Sequence, residues 1–457
     1  MSRTWGMMET MRRTKIVTTL GPASQNLVAE LVEAGASVVR INCSHMTTEE
    51  VGAAVRSARA QSETVSILVD IQGPKLRLID GIDATGDEVV LWQSGHGPGP
   101  NVGFDPHAIG VKSGERILVN DGRIELSALE VAPHMVRARV VRGGTAQGRR
   151  GVNLPDTEVK VEMYSAKDRA DIAAAVEAGV DWIALSFVQR AEDVLEARRM
   201  VPEGVRILSK IERPQALAVL DEICEASDAV MAARGDLGVE IPFARLPVAQ
   251  RTIAMAALRA GVVSVCATEM LESMITGSRP TRAEVSDVTN AVRDGFDCVM
   301  LSAETAIGHD PIGTVKAMAA ILTEADLVDR IRSPFADTHP DSAAVAAATV
   351  ALAARLKTKT ILAVTFTGHN AELLAACRAP SQIIAATADR RVATRLMARY
   401  GVTPVMAPRP HSTDDAIELA VQSAKRAGLV SDGELIVVCL SRTSPRSDTD
   451  TIYVYRA

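Results

Sequence analysis

Eight short apolar runs, rich in β-branched residues, recur between Lys15 and Ala303, and they alternate with segments whose apolar residues fall at i, i+3 and i+4. The runs are KIVTTL from Lys15, SVVRIN from Ser37, SILVDI from Ser66, DWIALSF from Asp181, VRILSKI from Val205, DAVMAAR from Asp228, VVSVCAT from Val262 and DCVMLSA from Asp297. AKDRADIAAAVEAG from Ala166 and TRAEVSDVTNAVRDG from Thr281 are examples of the helix-patterned segments. Alternation of this kind leaves a chain few choices, because parallel strands need a crossover between them and helices are the usual crossover. Eight such units predict an α/β fold, a (β/α)8 TIM barrel.

The series is interrupted once, after the third run. GERILVNDGRIEL from Gly114 and HMVRARVVRGG from His134 alternate apolar and polar residues between Gly and Asp turns, which predicts antiparallel strands. A small inserted β-barrel domain is therefore expected at 75–155, leaving the main barrel at the Gly73-Pro74 turn and placed to act as a lid. The main barrel is expected at 14–74 and 156–331, behind an N-terminal arm at 1–13. Beyond RSPFADTHPDS from Arg332, the strands TILAVTF, QIIAAT, TPVMA, ELIVVCL and TIYVYR alternate with helices, predicting a C-terminal α/β domain at 335–457. Three domains suit a chain of 457 residues.

Composition narrows the class of ligand. A formal net charge of -6 with 3% aromatic residues excludes a nucleic-acid surface, which needs a basic face and stacking rings. The six cysteines, Cys43, Cys224, Cys266, Cys298, Cys377 and Cys439, include no C-x-x-C pair and read as reduced core residues of a cytoplasmic protein. The apolar run AAVAAATVALAARL from Ala343 falls short of the roughly 20 residues that span a bilayer, so no membrane partner is expected. MSRTWGMMETMRR at the start carries Glu9 and no apolar core, unlike a targeting signal. A small-molecule ligand is the expectation that remains.

The chemistry is expected where the strands end. Side chains alternate along a strand, so Arg40, Asn42 and Ser44 of RINCSH share one face. The third run ends on Asp70, the fifth on Lys210 and Glu212, the sixth on ARGD with Asp236, the seventh on Thr268 and Glu269, and the eighth on SAET. Polar residues from many strands thus converge on the rim that carries active sites in this fold. Two carboxylates with open positions suit Mg2+, or Mn2+, and a lysine beside them would offset negative charge on a reacting group. Taken singly, each has a plainer reading, an exposed strand end or a Lys210–Glu212 ion pair. The chain has no G-x-x-x-x-G-K-[ST] loop and no H-E-x-x-H, and GHGPGP from Gly95 lacks dinucleotide-binding spacing. His45, at the mouth of the second strand, is the one histidine retained as a candidate.

Taken together, KIVTTLGPAS, RINCSH, DIQGPK, GVNLP, SKIE, ARGDLGVEIP, ATEMLESM with RPTRAEVSDV, and LSAETAIG, in that order over residues 14–320, closely resemble the pyruvate kinases. The resemblance implies phosphoryl transfer from phosphoenolpyruvate to ADP, giving pyruvate and ATP, by a homotetramer. It implies that Glu212 and Asp236 hold Mg2+, that Lys210 stabilises the transferring phosphoryl group and the enolate, and that Arg40 contacts that phosphoryl group. Backbone groups of Ala233, Arg234 and Gly235 would receive the substrate carboxylate, and Thr268 would belong to the proton-delivery network. Asn42, His45, Arg77 and Arg190 would face the nucleotide. In potassium-dependent relatives the counterparts of Asn42, Ser44, Asp70 and the Ile71 carbonyl cage the ion, and a glutamate stands at the position of Lys75. Here Lys75, with Ile71, Gln72 and Leu78, follows the potassium-independent pattern, so K+ is expected to be dispensable and Lys75 to act in its place.

The chain departs from the family pattern at Met46, Arg150, Glu269 and the VEMYSAKD stretch, none of which removes a catalytic group. TFTGHN, with Thr365, Thr367, Gly368, His369 and Asn370, resembles the family's loop for a phosphorylated allosteric effector, and Arg442 and Arg446 follow in the expected order. A plain strand-to-helix turn is the competing reading of that loop. Two rivals to the kinase reading stand at this point: a catalytically silent sensor of phosphoenolpyruvate or nucleotide, and a metal-dependent aldolase of the pyruvate-enolate type.

Overall fold

The structure is a computed structural model describing residues 12–327, 332–440 and 451–457. Arg12 and Arg13 of the expected arm fall within these, whereas Arg442 and Arg446 lie outside the described residues. Eight parallel strands close into a barrel in chain order: β1 (Lys15–Thr19), β2 (Val38–Asn42), β3 (Ser66–Asp70), β4 (Trp182–Leu185), β5 (Arg206–Ile211), β6 (Ala229–Ala233), β7 (Val263–Ala267) and β8 (Cys298–Leu301). Asn42 is in register with Asp70, and Asp70 with Ala184, so these strands finish at one level.

Period-2 alternation explains how apolar strands deliver a polar site. Ile16, Val39, Ile67, Val69, Ile183 and Val230 face outward and pack with the surrounding helices. Val38, Leu68, Ala184 and Leu208 face inward and fill the barrel. Two residues further along the same inward series, Val38 gives way to Arg40, Leu68 to Asp70, Ala184 to Ser186 and Leu208 to Lys210.

The inserted domain is a second closed barrel, built from strands between Arg77 and Asn153 around Leu78, Leu91, Ile117 and Leu126. The chain leaves for it through Gly73, whose φ is +64° and where a Cβ would lie 2.7 Å from the Ser186 carbonyl oxygen. Only glycine meets both conditions at once. The Gly73 N–H donates to Asp168 Oδ1 at 3.1 Å, on a helix, Ala166–Glu177, whose start carries a Ser165/Asp168 capping box. On the return path Asn153 Nδ2 donates to Glu240 Oε1 at 2.9 Å, tying the lid to the barrel.

The C-terminal domain is a five-stranded sheet in the order β11-β10-β9-β12-β13, where β9 is Thr360–Val364, β10 Gln382–Thr387, β11 Val402–Met406, β12 Leu435–Leu440 and β13 Thr451–Arg456. Four strands are parallel, and β13 runs antiparallel to β12. The domain closes the end of the barrel opposite the rim, with Ala398 packed into the barrel's inner core. Arg378 makes a two-pronged ion pair with Asp297, just before β8, at 3.0 and 3.1 Å, and lies 4.6 Å from the Tyr400 ring centroid. Lys15 Nζ donates to the Val402 carbonyl at 2.6 Å. Both charges of the Arg378–Asp297 pair are buried, so removing one leaves the other unpaired at a cost of several kcal/mol. Arg378→Met is expected to destabilise the docked C-terminal domain by about 3 kcal/mol. Denaturant unfolding checks this, and an unchanged midpoint would show that the pair does not hold the domains together.

Candidate active site

Five consecutive strands contribute to one polar row across the rim. Arg40 Nη1 donates to Thr19 Oγ1 at 3.1 Å, and the rest of the Arg40 fork clasps Asp70 Oδ2, Nε at 2.8 Å and Nη2 at 2.6 Å. Ser186 Oγ lies 3.2 Å from Asp70 Oδ1 and 2.8 Å from the Ile71 carbonyl oxygen. Lys210 Nζ donates to Ser186 Oγ at 2.8 Å and stands 3.4 Å from Asp70 Oδ1 and 2.9 Å from Glu212 Oε1. The other Glu212 oxygen accepts from the Phe187 N–H at 2.7 Å, and Phe187 itself is held at φ +62°.

The row is almost closed to water, and this sets its electrostatics. Burial works against the Asp70 charge, but Lys210 and Arg40 outweigh it and hold the carboxyl below its ordinary range. Burial likewise opposes the Lys210 charge, and Asp70 and Glu212 reverse that, so the ammonium is held above its ordinary range. Glu212 behaves differently: burial pushes its carboxyl up to about 7, Lys210 opposing and Asp236 adding to the shift. Glu212 Oε1 faces Lys210 Nζ at 2.9 Å as an ion pair outside good hydrogen-bonding geometry, with no other polar partner among the described residues. A buried carboxylate oxygen without a well-formed hydrogen bond is a group that a cation would stabilise.

Asp236 stands at the end of the neighbouring strand, in the helix Arg234–Glu240, and is half-exposed. Its Oδ1 lies 3.6 Å from Lys75 Nζ, which extends from the lid exit and sits 5.8 Å from the Phe187 ring centroid. Lys75 thus pairs with Asp236, while the charge of Asp70 is met by Arg40 and Lys210. Glu212 and Asp236 suit Mg2+ or Mn2+, small cations that take two protein carboxylates and complete their shell with water and substrate oxygens. Among the described residues no group of three or more His, Cys, Asp or Glu gathers as a ready-made metal cage.

Thr268 and Glu269 sit in the left-handed region, with φ of +73° and +53°, a costly geometry for a β-branched residue. Arg234 holds it there. Its guanidinium donates to the Ala267 carbonyl at 3.2 Å and the Thr268 carbonyl at 2.5 Å, braced by Asp287 at 2.7 Å. The Thr268 hydroxyl accepts from the Gly235 N–H at 2.8 Å and donates to the Ala267 carbonyl at 2.6 Å. So Gly235 and Thr268 meet, with Ala233 closing β6 beneath them, whereas the Arg234 side chain turns away to prop the loop.

The other candidates are more dispersed. Asn42 Oδ1 accepts from the Ser44 N–H at 3.2 Å, a local turn at the end of β2. His45 is exposed, Arg77 half-buried in the first lid strand, and Arg190 exposed with Nε 3.6 Å from Asp193. Arg150 and Glu269, two departures from the family pattern, are exposed as well. In the C-terminal domain the turn before the helix His369–Ala376 is held by Thr365, whose Oγ1 accepts from the Gly368 N–H at 2.9 Å. Thr367 Oγ1 accepts from the His369 N–H at 3.4 Å, and Asn370 Nδ2 donates to the Val364 carbonyl at 3.2 Å. Ser186 and the Arg234 guanidinium are the site residues that reading strand ends passes over. Counting in twos along β4, from Trp182 through Ala184, points to Ser186.

A (β/α)8 barrel whose rim gathers an arginine, a lysine and two carboxylates under an inserted lid defines an enzyme for a small anionic substrate. The chain belongs to the pyruvate kinase family: the family's barrel-domain model matches residues 11–315 and its alpha/beta-domain model residues 343–455. It is 39% identical over 450 residues to a pyruvate kinase of Agrobacterium vitis, covering 93% of this chain and 94% of that protein. It is 40% identical over 456 residues to one of Methylorubrum extorquens, covering 94% of each. A crystal structure of a pyruvate kinase from Cryptosporidium parvum superposes with a TM-score of 0.90 at 31% identity, covering 97% of this chain and 96% of that one.

The raised Glu212 carboxyl has a measurable consequence in protein free of divalent cations. Folded Glu212 keeps its proton up to about pH 7, whereas an unfolded glutamate releases it near its ordinary 4.5. The stability this contributes is complete below that ordinary value and is lost as pH rises through about 7. Glu212→Gln cannot titrate, so its unfolding free energy is expected to fall less than that of the unaltered protein between pH 4.5 and pH 7. Parallel curves for the two proteins in denaturant titrations across that window would refute the assignment.

Proposed function

We propose that this chain transfers a phosphoryl group from phosphoenolpyruvate to ADP with Glu212 and Asp236 holding Mg2+ or Mn2+, releasing pyruvate and ATP. The observation that carries this account is the row from Arg40 through Asp70 and Ser186 to Lys210, which ends on a buried Glu212 oxygen whose one polar neighbour among the described residues is the Lys210 ammonium. Phosphoryl transfer asks a protein mainly to position groups and neutralise charge, and the row offers two cations in fixed places. The divalent ion, when bound, would supply positive charge to oxygens of the substrate. Lys210 would offset charge on the transferring group and on the enolate, and Arg40, fixed by Thr19 and Asp70, would face the same group. Thr268, held by Arg234, would belong to the network that delivers a proton to the product carbon. The Gly235 N–H, with its neighbours at Ala233 and Arg234, would turn from the Thr268 hydroxyl to the substrate carboxylate. Asn42, His45, Arg77 and Arg190 would take the nucleotide.

The aldolase reading does not account for the family membership, and the intact Lys210, Glu212, Asp236 and Thr268 count against a silent sensor. A cytoplasmic homotetramer completes the account; Phe243, in the turn before the helix Leu246–Ala260, and Val248, in its first turn, are 84% and 63% exposed and offer apolar surface to a neighbouring subunit. Among the described residues no helix is long and apolar enough to cross a membrane. A phosphorylated effector at the Thr365–Asn370 turn is part of the same proposal, and calorimetry with sugar phosphates and nucleoside monophosphates decides it.

ATP formation from phosphoenolpyruvate and ADP, followed in a coupled assay with Mg2+, tests the function directly. Lys210→Met is expected to lower kcat by at least about a thousandfold while phosphoenolpyruvate binding changes little, because the charge acts on the transition state. Near-normal turnover in that variant would remove Lys210 from the chemistry. Lys75 is proposed to stand in for a monovalent cation, supplying from its place beside Asp236 a positive charge near the incoming phosphates. Activity in buffer free of sodium and potassium is therefore expected to stay within about twofold when potassium is added. A many-fold rise on adding potassium would overturn that role.

A further inference from the structure

We propose that Ser186 is a positioning residue for Lys210: its hydroxyl is the neutral anchor that keeps the ammonium aimed when a divalent cation claims Glu212. The inference deepens the phosphoryl-transfer reading and rests on it.

Lys210 has three partners on the rim, and two of them are committed elsewhere. Asp70 is clasped by Arg40 Nε at 2.8 Å and Nη2 at 2.6 Å, and its Oδ1 stands 3.4 Å from Lys210 Nζ, beyond a good hydrogen bond. Glu212 Oε1 is nearer, at 2.9 Å, an ion pair outside good hydrogen-bonding geometry, and it is the oxygen a cation would take. Ser186 Oγ, 2.8 Å from Nζ, is the partner in hydrogen-bonding geometry, and it carries no charge that metal binding would recruit. A lysine is a point charge on a flexible four-carbon stem, so an ammonium that loses its anchor loses its direction.

The serine is itself immobilised. Its hydroxyl has a single proton and two acceptors in reach, the Ile71 carbonyl at 2.8 Å and Asp70 Oδ1 at 3.2 Å, while a lone pair stays directed at Lys210. Its carbonyl oxygen fills the space that a Cβ on Gly73 would need, only 2.7 Å away, so the turn that leads into the lid packs directly on it. The next residue, Phe187, is fixed at φ +62° by the bond from its N–H to Glu212 Oε2. Ser186 is 3% exposed and bridges β3 to β5 across the end of β4. A side chain that is small, donates once and accepts at the same time fits this place, and an apolar one of any size breaks the row.

Ser186→Ala, Ser186→Thr and Ser186→Val, compared in the coupled assay, test the role. Mn2+ affinity is read by electron paramagnetic resonance and Tm by thermal melting. Ser186→Ala is expected to lower kcat about 10- to 100-fold, with the KM for phosphoenolpyruvate and the Mn2+ affinity each within about threefold of the unaltered protein. Thr and Val have one shape and differ by the hydroxyl, so Ser186→Thr is expected to exceed Ser186→Val in kcat by about tenfold, and this comparison decides the matter if the alanine variant does not fold. An alanine variant within twofold of normal kcat, or Thr and Val variants that turn over alike, would overturn the inference alone. So would a parallel loss of kcat, KM and Mn2+ affinity, which marks a merely structural serine. An unaltered protein without turnover would overturn the phosphoryl-transfer reading and the inference together.

Discussion

A carboxylate that is 1% exposed cannot stand alone, because an isolated charge in a protein interior costs more than the fold can supply. Asp70 is that carboxylate, and the rim is organised by what it needs. Arg40 reaches it from β2 and Lys210 from β5, two strands on the far side, so the strand order itself decides which cations can serve. β4 lies between Asp70 and Lys210, and the gap is closed by a hydroxyl from the end of that strand. Neutralising one buried acid therefore fixes the direction of an arginine and a lysine, the two cations through which the rim can act on an anionic group. The same logic leaves Glu212 only partly compensated, and that residual affinity for positive charge is what a metal would exploit.

Residues in the left-handed region lie around this row, among them Gly73, Phe187 and Thr268. Glycine adopts the geometry freely, but for Thr268 and Phe187 it must be imposed. Glu212 imposes it on Phe187 through the backbone N–H, and Arg234 on Thr268 through two carbonyl oxygens. Glu212 thus holds a loop as well as facing the site, and Arg234 holds a loop from outside it. Gly73 carries the lid and packs on Ser186, so movement of the lid at its exit turn bears on the residue that holds Lys210. The lid and the lysine are coupled by contact, through one carbonyl oxygen and one hydroxyl of the same serine.

Much of this is legible in the sequence. Alternation along β2, β3 and β5 places Arg40, Asp70 and Lys210 on the inward face, and the end of each apolar run marks the level of the rim. Ser186 follows the same parity but escapes notice, because a serine after an apolar run looks like any strand terminus. Arg234 is harder still: its backbone position follows from the motif, while its guanidinium points to a loop far along the chain, a relation set by packing. The Arg378–Asp297 pair joins residues 81 apart in sequence from different domains, and no local pattern announces such a contact. Nor does spacing reveal that Lys75 meets Asp236, since that depends on how the lid exit turns at Gly73.

The position of Lys75 changes the charge balance of the rim rather than the state of Asp70. Arg40, Lys210 and Lys75 face Asp70, Glu212 and Asp236, three basic side chains against three acidic ones before any ligand arrives. With a glutamate in place of Lys75 the same six positions would hold two basic side chains and four acidic ones, and anionic substrates would meet a negative surface unless free cations collected there. Lys75 and Asp236 are each about one-third exposed, 34% and 36%, so water weakens their pairing and leaves the ammonium free to respond to an incoming charge. A weakly held cation beside a metal-binding carboxylate suits a charge that must be shared between the protein and a ligand. The buried, doubly paired Asp70 suits one that must not move.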